Sequence, residues 1–226
     1  MLSGWLVAAA CLATLVFRVW YVLPYRRRKN GAWDPFAGGD EGAASPTEPP
    51  RHPLRTMIVL GSGGHTSEML RMTSHLAPEV YSPLHYVVAS TDHTSVKRIP
   101  KEHMESGRCE VFVIPRSREV GQSWVSTVWT TLVATAHSAA LVVRLRPEVL
   151  LVNGPGTCIP ACAALFALRA LGLRGKASTV FCESFCRVKT LSLSGKIMYC
   201  LADRFVVHWP ELLQRYPRAE YVGQLL

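Results

Sequence analysis

No lysine follows the glycine-rich turn Gly61-Ser62-Gly63-Gly64-His65-Thr66. That absence removes the Walker class of nucleotide site, which needs a Lys-Ser or Lys-Thr pair after the glycines to reach a terminal phosphate. A third glycine is missing too, since Thr66 stands in its place, so a dinucleotide fingerprint is incomplete. Asp92, at the end of the next strand, keeps a membrane-tethered NAD-dependent enzyme open as an alternative, as a ribose ligand. Cysteine is present seven times but never as Cys-x-x-Cys. Cys158 and Cys162, like Cys182 and Cys186, are four apart, and no histidine pair completes either set, so no metal site is expected. Most of these thiols lie in apolar runs and cannot all pair within the chain, which fits a reduced, cytoplasmic body. Carboxylates are scarce: 16 Asp and Glu against 25 Lys and Arg give a net charge of +9 and a pI of about 9.4. A basic excess points to nucleic acid or to an anionic membrane surface. The chain carries no basic-aromatic module of a known nucleic-acid-binding type, which excludes the first.

The charge is distributed as a membrane anchor requires. Leu2 to Leu23 holds one interior charge, Arg18, with Trp20 and Tyr21 near its end, and Arg26, Arg27, Arg28 and Lys29 follow. A bilayer core needs about 20 apolar residues, and a basic flank stays in the cytoplasm. No positive region precedes the apolar run, so an uncleaved signal anchor is expected rather than a cleaved signal peptide. Arg18 is expected to snorkel toward the cytoplasmic headgroups. Three parts follow: a transmembrane anchor over 1–25, a flexible linker over 26–54 and a cytosolic body over 55–226. The linker, from Asn30 to Pro53, is rich in Gly, Pro, Ala and Ser with few apolar side chains.

Beyond the linker, apolar runs alternate with helical patterns. Strands are expected at Thr56–Leu60, Leu84–Ser90, Glu110–Ile114, Val149–Val152, Ser178–Cys182 and Arg204–Val207. Helices are expected near Thr66–Leu76, His93–Glu105, Ser123–Arg144, Cys158–Leu171, Ser194–Ala202 and Glu211–Tyr216. This alternation predicts an α/β fold, a Rossmann-like parallel sheet with helices on both faces, plus the one N-terminal transmembrane helix. Ser123 to Val143 contains no Lys, Arg, Asp or Glu. Strands of one sheet flank it, however, so it reads as a sheet-covering helix whose exposed part, with Trp124 and Trp129, dips into the membrane interface.

Ligands of such sheets bind at the carboxyl ends of the strands. Gly61, Ser62, Gly63, Gly64 and Thr66 form a turn into a helix, where unpaired N–H groups and the helix dipole favour a diphosphate. His65 at its mouth can move a proton. A second turn, Asn153-Gly154-Pro155-Gly156-Thr157, follows the fourth strand, and Glu183-Ser184-Phe185-Cys186-Arg187-Val188 follows the fifth. Neighbouring strand ends bring all three loops to one cleft.

These motifs together resemble the membrane-anchoring subunits of the two-part UDP-N-acetylglucosamine transferase of N-glycosylation. The resemblance extends, more faintly, to the N-terminal half of bacterial N-acetylglucosaminyltransferases that make the lipid-linked peptidoglycan precursor. It implies the N-terminal, acceptor-side half of a GT-B glycosyltransferase, inactive without a separate cytosolic donor-binding subunit. The implied reaction adds the second N-acetylglucosamine to N-acetylglucosaminyl-diphosphodolichol, with UDP-N-acetylglucosamine bound mainly by the partner and no cofactor. Other early dolichol-pathway enzymes are further implied partners. The implied location is the endoplasmic reticulum membrane, single-pass, with a lumenal N-terminus. In site terms, His65 or Glu183 is the base, the first glycine loop holds the acceptor diphosphate, and Asn153, Gly154, Gly156 and Thr157 bind acceptor polar groups. Tyr221, Val222, Leu225 and Leu226 are the implied docking element for the partner. A pure membrane scaffold with a vestigial site is the remaining alternative.

Overall fold

The computed structural model describes residues 2–23, 52–119, 121–154, 156–173 and 177–223. Helix α1 (Leu2–Val22) precedes the body, and the expected linker lies almost wholly outside the described residues. The body then runs β1 (Leu54–Val59), α2 (Gly64–Thr73), β2 (Tyr81–Ala89), a 3-10 turn (Val96–Arg98), α3 (Lys101–Glu105), β3 (Cys109–Ile114) and α4 (Trp124–Leu145). It continues with β4 (Val149–Asn153), α5 (Cys158–Ala170), β5 (Ser178–Cys182), α6 (Leu193–Leu201), β6 (Arg204–Val207), α7 (Glu211–Arg215) and β7 (Glu220–Tyr221).

All seven strands join one parallel sheet in the order β3-β2-β1-β4-β5-β6-β7. The period-2 alternation of β1 shows why both faces are covered. Met57 and Val59 point to one side, where they join Val142, Leu165, Phe181, Met198 and Phe205 in a core under α4, α5 and α6. Ile58 and Leu60 point to the other, where they join Met69, Tyr86, Val88 and Ile99 under α2 and the 3-10 turn. The direction of winding reverses between β1 and β4, so the crevice at their carboxyl ends is the switch point of the sheet. Both glycine loops leave the sheet there.

Two expectations need correction. The helix expected over His93–Glu105 is a 3-10 turn and a short helix, because Pro100 forces Ile99 into extended backbone and breaks the run. A seventh strand, only two residues long and led by Glu220, carries too little apolar pattern to be read. Arg18, on the exposed side of α1, donates through Nε to the carbonyl of Ala170 at 2.8 Å and so caps the C-terminus of α5.

By length and composition α4 could cross a membrane. Its packing gives it another role. It lies along α5 and buries Ala134, Ser138 and Val142, while its two ends connect strands of the same sheet.

Candidate active site

The first loop is built around a backbone that only glycine adopts easily. Gly63 has φ of 66° and ψ of −125° immediately before α2. The chain thereby turns sharply out of β1 and leaves Gly63 and Gly64 exposed at the helix start, with Gly61 buried below and Ser62 half-buried. Thr66 plays a structural part. Fully buried, its hydroxyl donates to the Gly61 carbonyl and lies 2.5 Å from the Ser95 hydroxyl. Asp92 completes the brace by accepting bonds from the amides and hydroxyls of both Thr94 and Ser95. Burial alone would raise the Asp92 carboxyl, but these hydrogen bonds outweigh it and hold it below the usual range. Its oxygens are thus engaged within the protein, which weakens the ribose-ligand reading.

Two arginines frame this loop. Arg98 donates to the Gly63 carbonyl at 3.0 Å and to the Ser67 hydroxyl at 3.1 Å. Arg116, from the loop after β3, donates to the Thr91 hydroxyl at 3.0 Å and to the Ser62 hydroxyl at 3.5 Å. Glycine amides, a helix start and two guanidinium groups together make a setting for a diphosphate.

His65 sits half-buried at the mouth, and its partner was not anticipated from the sequence. Glu68, one helical turn later on the same face, places Oε2 3.2 Å from His65 Nδ1. Asn153 Nδ2 donates to the His65 carbonyl at 3.0 Å and to Glu68 Oε2 at 3.3 Å. The Ser184 hydroxyl donates to Glu68 Oε1 at 3.0 Å. Glu68 thus links three loops: its own, the one after β4 and the one after β5. With Nδ1 protonated toward Glu68, Nε2 is left to accept a proton. The sequence signal was the His-x-x-Glu spacing at the start of a helix.

Gly154, with φ of 60°, lies directly against the imidazole, and the Ser194 hydroxyl donates to its carbonyl. Gly156 is exposed, and its carbonyl accepts from the Ser117 hydroxyl at 3.1 Å. Thr157 is buried at the start of α5 and makes no side-chain cap. Pro155 lies outside the described residues.

Glu183 is in the cleft region but engaged elsewhere. Only 1% exposed, its carboxylate accepts from the amides of Ser184 at 3.0 Å and Ser192 at 2.9 Å and from the Ser192 hydroxyl at 3.1 Å. It therefore anchors the N-terminus of α6, and Gly195 leaves the space it occupies. His208, at the end of β6, was also missed. Fully buried against the Phe185 ring, it has no hydrogen-bond partner on either nitrogen. Burial pushes its pKa below the ordinary 6.5, and Glu68 opposes the shift. Among the described residues no cluster of three His, Cys, Asp or Glu could hold a metal ion.

Of the residues expected to dock a partner, Tyr221 pairs with Val207 at the sheet edge, and Tyr221 and Val222 are both exposed. Leu225 and Leu226 lie outside the described residues.

The architecture has solved counterparts. The Acinetobacter baumannii MurG structure superposes with a TM-score of 0.53 at 16% identity, over 76% of this chain and 46% of that one. A putative UDP-N-acetylglucosamine 2-epimerase from Listeria monocytogenes gives 0.55 at 13%, over 73% and 42%. At such identities the likeness is one of fold, the N-terminal half of a GT-B architecture.

Sequence relatives are far nearer. The human UDP-N-acetylglucosamine transferase subunit ALG14 is 44% identical over 186 residues, spanning 78% of this chain and 85% of that protein. The protein of the same name from Yarrowia lipolytica is 38% identical over 225 residues, spanning 98% and 97%. The profile of the family described as "Oligosaccharide biosynthesis protein Alg14 like" matches residues 56–225, from β1 through both glycine loops and the edge strand. On a GT-B half-fold with its loops gathered at the switch point, this match and these relatives establish that the chain belongs to the Alg14 family of glycosyltransferase subunits.

Proposed function

We propose that this chain is the acceptor-side, membrane-anchoring subunit of a UDP-N-acetylglucosamine transferase. It adds the second sugar to N-acetylglucosaminyl-diphosphodolichol at the endoplasmic reticulum membrane, and it recruits a separate cytosolic subunit that binds the donor. The observation that carries this reading is the convergence of His65, Glu68, Asn153 and Ser184 beside a glycine cradle flanked by Arg98 and Arg116. Helix α1, 21 residues and about 30 Å long, supplies the anchor, with the body on the cytosolic side.

In this account the acceptor diphosphate rests on the amides of the first loop, and the arginines offset its charge. The acceptor sugar lies toward the second loop, against Asn153 and Gly154. His65 Nε2 takes the proton of the attacking hydroxyl as its oxygen bonds to the donor's anomeric carbon. The bond from that carbon to UDP breaks, and UDP leaves with the electron pair. Glu68 fixes the imidazole in orientation and tautomer. Glu183 has a supporting part, because one oxygen already accepts from the Ser184 amide and the other from Ser192, the N-cap of α6. The donor's nucleotide is held by the partner, and both halves must meet before the reacting atoms are in reach. No cofactor enters these steps.

The test is a transferase assay with the donor-binding subunit present, comparing wild type with His65→Ala after assembly has been verified. Loss of turnover by about a hundredfold or more is expected for removal of a general base. Near-normal turnover in an assembled His65→Ala complex would favour the scaffold reading and sink this one.

A further inference from the structure

Helix α4 is inverted relative to an ordinary sheet-covering helix. Over most of its length the inward side is small or polar: Ala134 and Ser138 are buried and Thr127, Thr130, Thr131 and Thr135 half-buried, with Leu141 and Val142 meeting the core only near its end. In the first half of the helix the large apolar side chains point outward. Val125 is 85% exposed and Trp129 70%, with Trp124, Val128 and Leu132 more than half exposed beside them. These five positions, at i, i+1, i+4, i+5 and i+8, make one continuous stripe along the first half of the helix. The second half turns outward Ala136, His137, Ala140, Val143 and Arg144, a far more mixed face. A contiguous apolar surface of this kind marks a contact rather than a solvated face.

Three observations identify the contact as lipid. Both tryptophans sit at the same end, and Arg118 places its guanidinium 4.1 Å from the centre of the Trp124 ring, the pairing of aromatic and cation that suits a headgroup layer. The stripe shares a face of the sheet with the anchor: α5 packs against α4 and against α1, which Arg18 ties to the end of α5. The stripe also begins at the mouth of the site. Thr130 and Thr131 donate to the Ser117 carbonyl, and Ser117 holds Gly156 while its neighbour Arg116 reaches Ser62.

We propose that α4 is a second, in-plane membrane element, with Trp124 to Leu132 seated in the headgroup–acyl boundary of an anionic bilayer. It does not cross. Its length is about 33 Å, but it returns to β4 of the sheet it left at β3, so a crossing would pull one sheet through the bilayer. Seated in plane, the helix holds the glycine cradle at the membrane surface. A diphosphate can then be gripped while its lipid remains in the bilayer.

The test uses the full chain in nanodiscs containing phosphatidylserine, with the exposed Cys11, Cys186 and Cys200 replaced by serine. Nitroxide labels are placed through Val125→Cys, Val128→Cys or Leu132→Cys, and through Ile197→Cys on α6 as a reference. Collision rates with oxygen and with a water-soluble nickel complex are then measured, without the donor-binding subunit. Greater access of oxygen than nickel at 125, 128 and 132, with the reverse at 197, is expected. Free access of nickel at all three α4 positions overturns the proposal. So does protection that arises only on adding the donor-binding subunit, or only as protein concentration rises, since the stripe would then cover a protein. The readout needs no turnover, so it stands apart from the reaction assigned above.

Discussion

A side chain at Gly154 would occupy the space of the His65 imidazole. The two glycine loops, 90 residues apart, are therefore fitted to each other, and the second glycine is required twice: by the contact and by its φ of 60°. Gly154→Ala should cost about 1–2 kcal/mol of stability from the left-handed backbone and should displace His65 as well. The expected outcome is a folded, partner-competent complex with turnover reduced well beyond what its modest melting shift explains. Turnover close to wild type would mean that His65 works from another position.

Glu68 gives a sharper test of the proposed base. Removing the carboxylate in Glu68→Ala frees the imidazole and leaves the Asn153 amide and Ser184 hydroxyl without their shared acceptor. A fall in kcat of about ten- to a hundredfold, at the low end of general-base contributions, is expected with KM for the acceptor nearly unchanged. Glu68→Gln, which still offers an oxygen to Nδ1–H, should lose less. Equal losses in both variants, together with lowered melting temperatures, would indicate that Glu68 only holds the loops together.

Glu183 should behave as a stability residue. Glu183→Ala leaves buried amides at Ser184 and Ser192 unpaired, at about 1–3 kcal/mol for a buried unsatisfied group. Thermal unfolding should shift down accordingly, while the fraction that stays folded at low temperature keeps most of its turnover. A stable Glu183→Ala protein with no turnover would return Glu183 to the position of base.

Two buried histidines make the fold acid-sensitive. His85 and His208 both have pKa values lowered from 6.5, chiefly by burial. The unfolded chain takes up protons at about the ordinary value, and the native state only at lower pH. The stability they contribute is thus complete above pH 6.5 and is lost as pH falls through the native pKa values. Denaturant midpoints should decline below pH 6.5, and His208→Asn together with His85→Gln should flatten that decline. An unchanged slope in the double variant would place the titrating groups elsewhere.

What the sequence disclosed follows from what is local. Continuous apolar strands such as Val149–Asn153 and glycine turns into helices announce themselves over a few residues, so β5 and β6 fell on their expected bounds. Glu68 and His208 were harder. One looks like an ordinary charge on a helix and the other like a core histidine, and only the gathering of strand ends gives them neighbours. Glu183 was visible as an acidic residue after a strand, but its engagement by Ser192, nine residues on, depends on how α6 folds back. The same holds for α4, whose composition suited a span, an interface helix or a core helix until packing showed which face was left outside.

The sheet edge offers a test of the proposed partner recruitment. Strand β7 pairs with β6 through Glu220 and Tyr221, and Arg204 holds Glu220 with two hydrogen bonds, at 2.9 and 2.5 Å. Among the described residues no further strand pairs with β7, and Tyr221 and Val222 are exposed at 39% and 48%. An exposed strand edge with apolar side chains is a natural place for another chain to pair or pack. Deleting Tyr221 to Leu226 removes one residue from a two-residue strand and leaves Glu220 with Arg204, so the core under α6 should persist. The expected outcome is a protease-resistant, membrane-bound body that no longer co-precipitates the donor-binding subunit. Each apolar side chain buried in that contact would contribute about 1.5–3 kcal/mol, enough for a few residues to govern a modest interface. Capture of the subunit by a protease-resistant truncated chain would place the docking surface elsewhere. Loss of protease resistance would show that the edge strand belongs to the fold of the body.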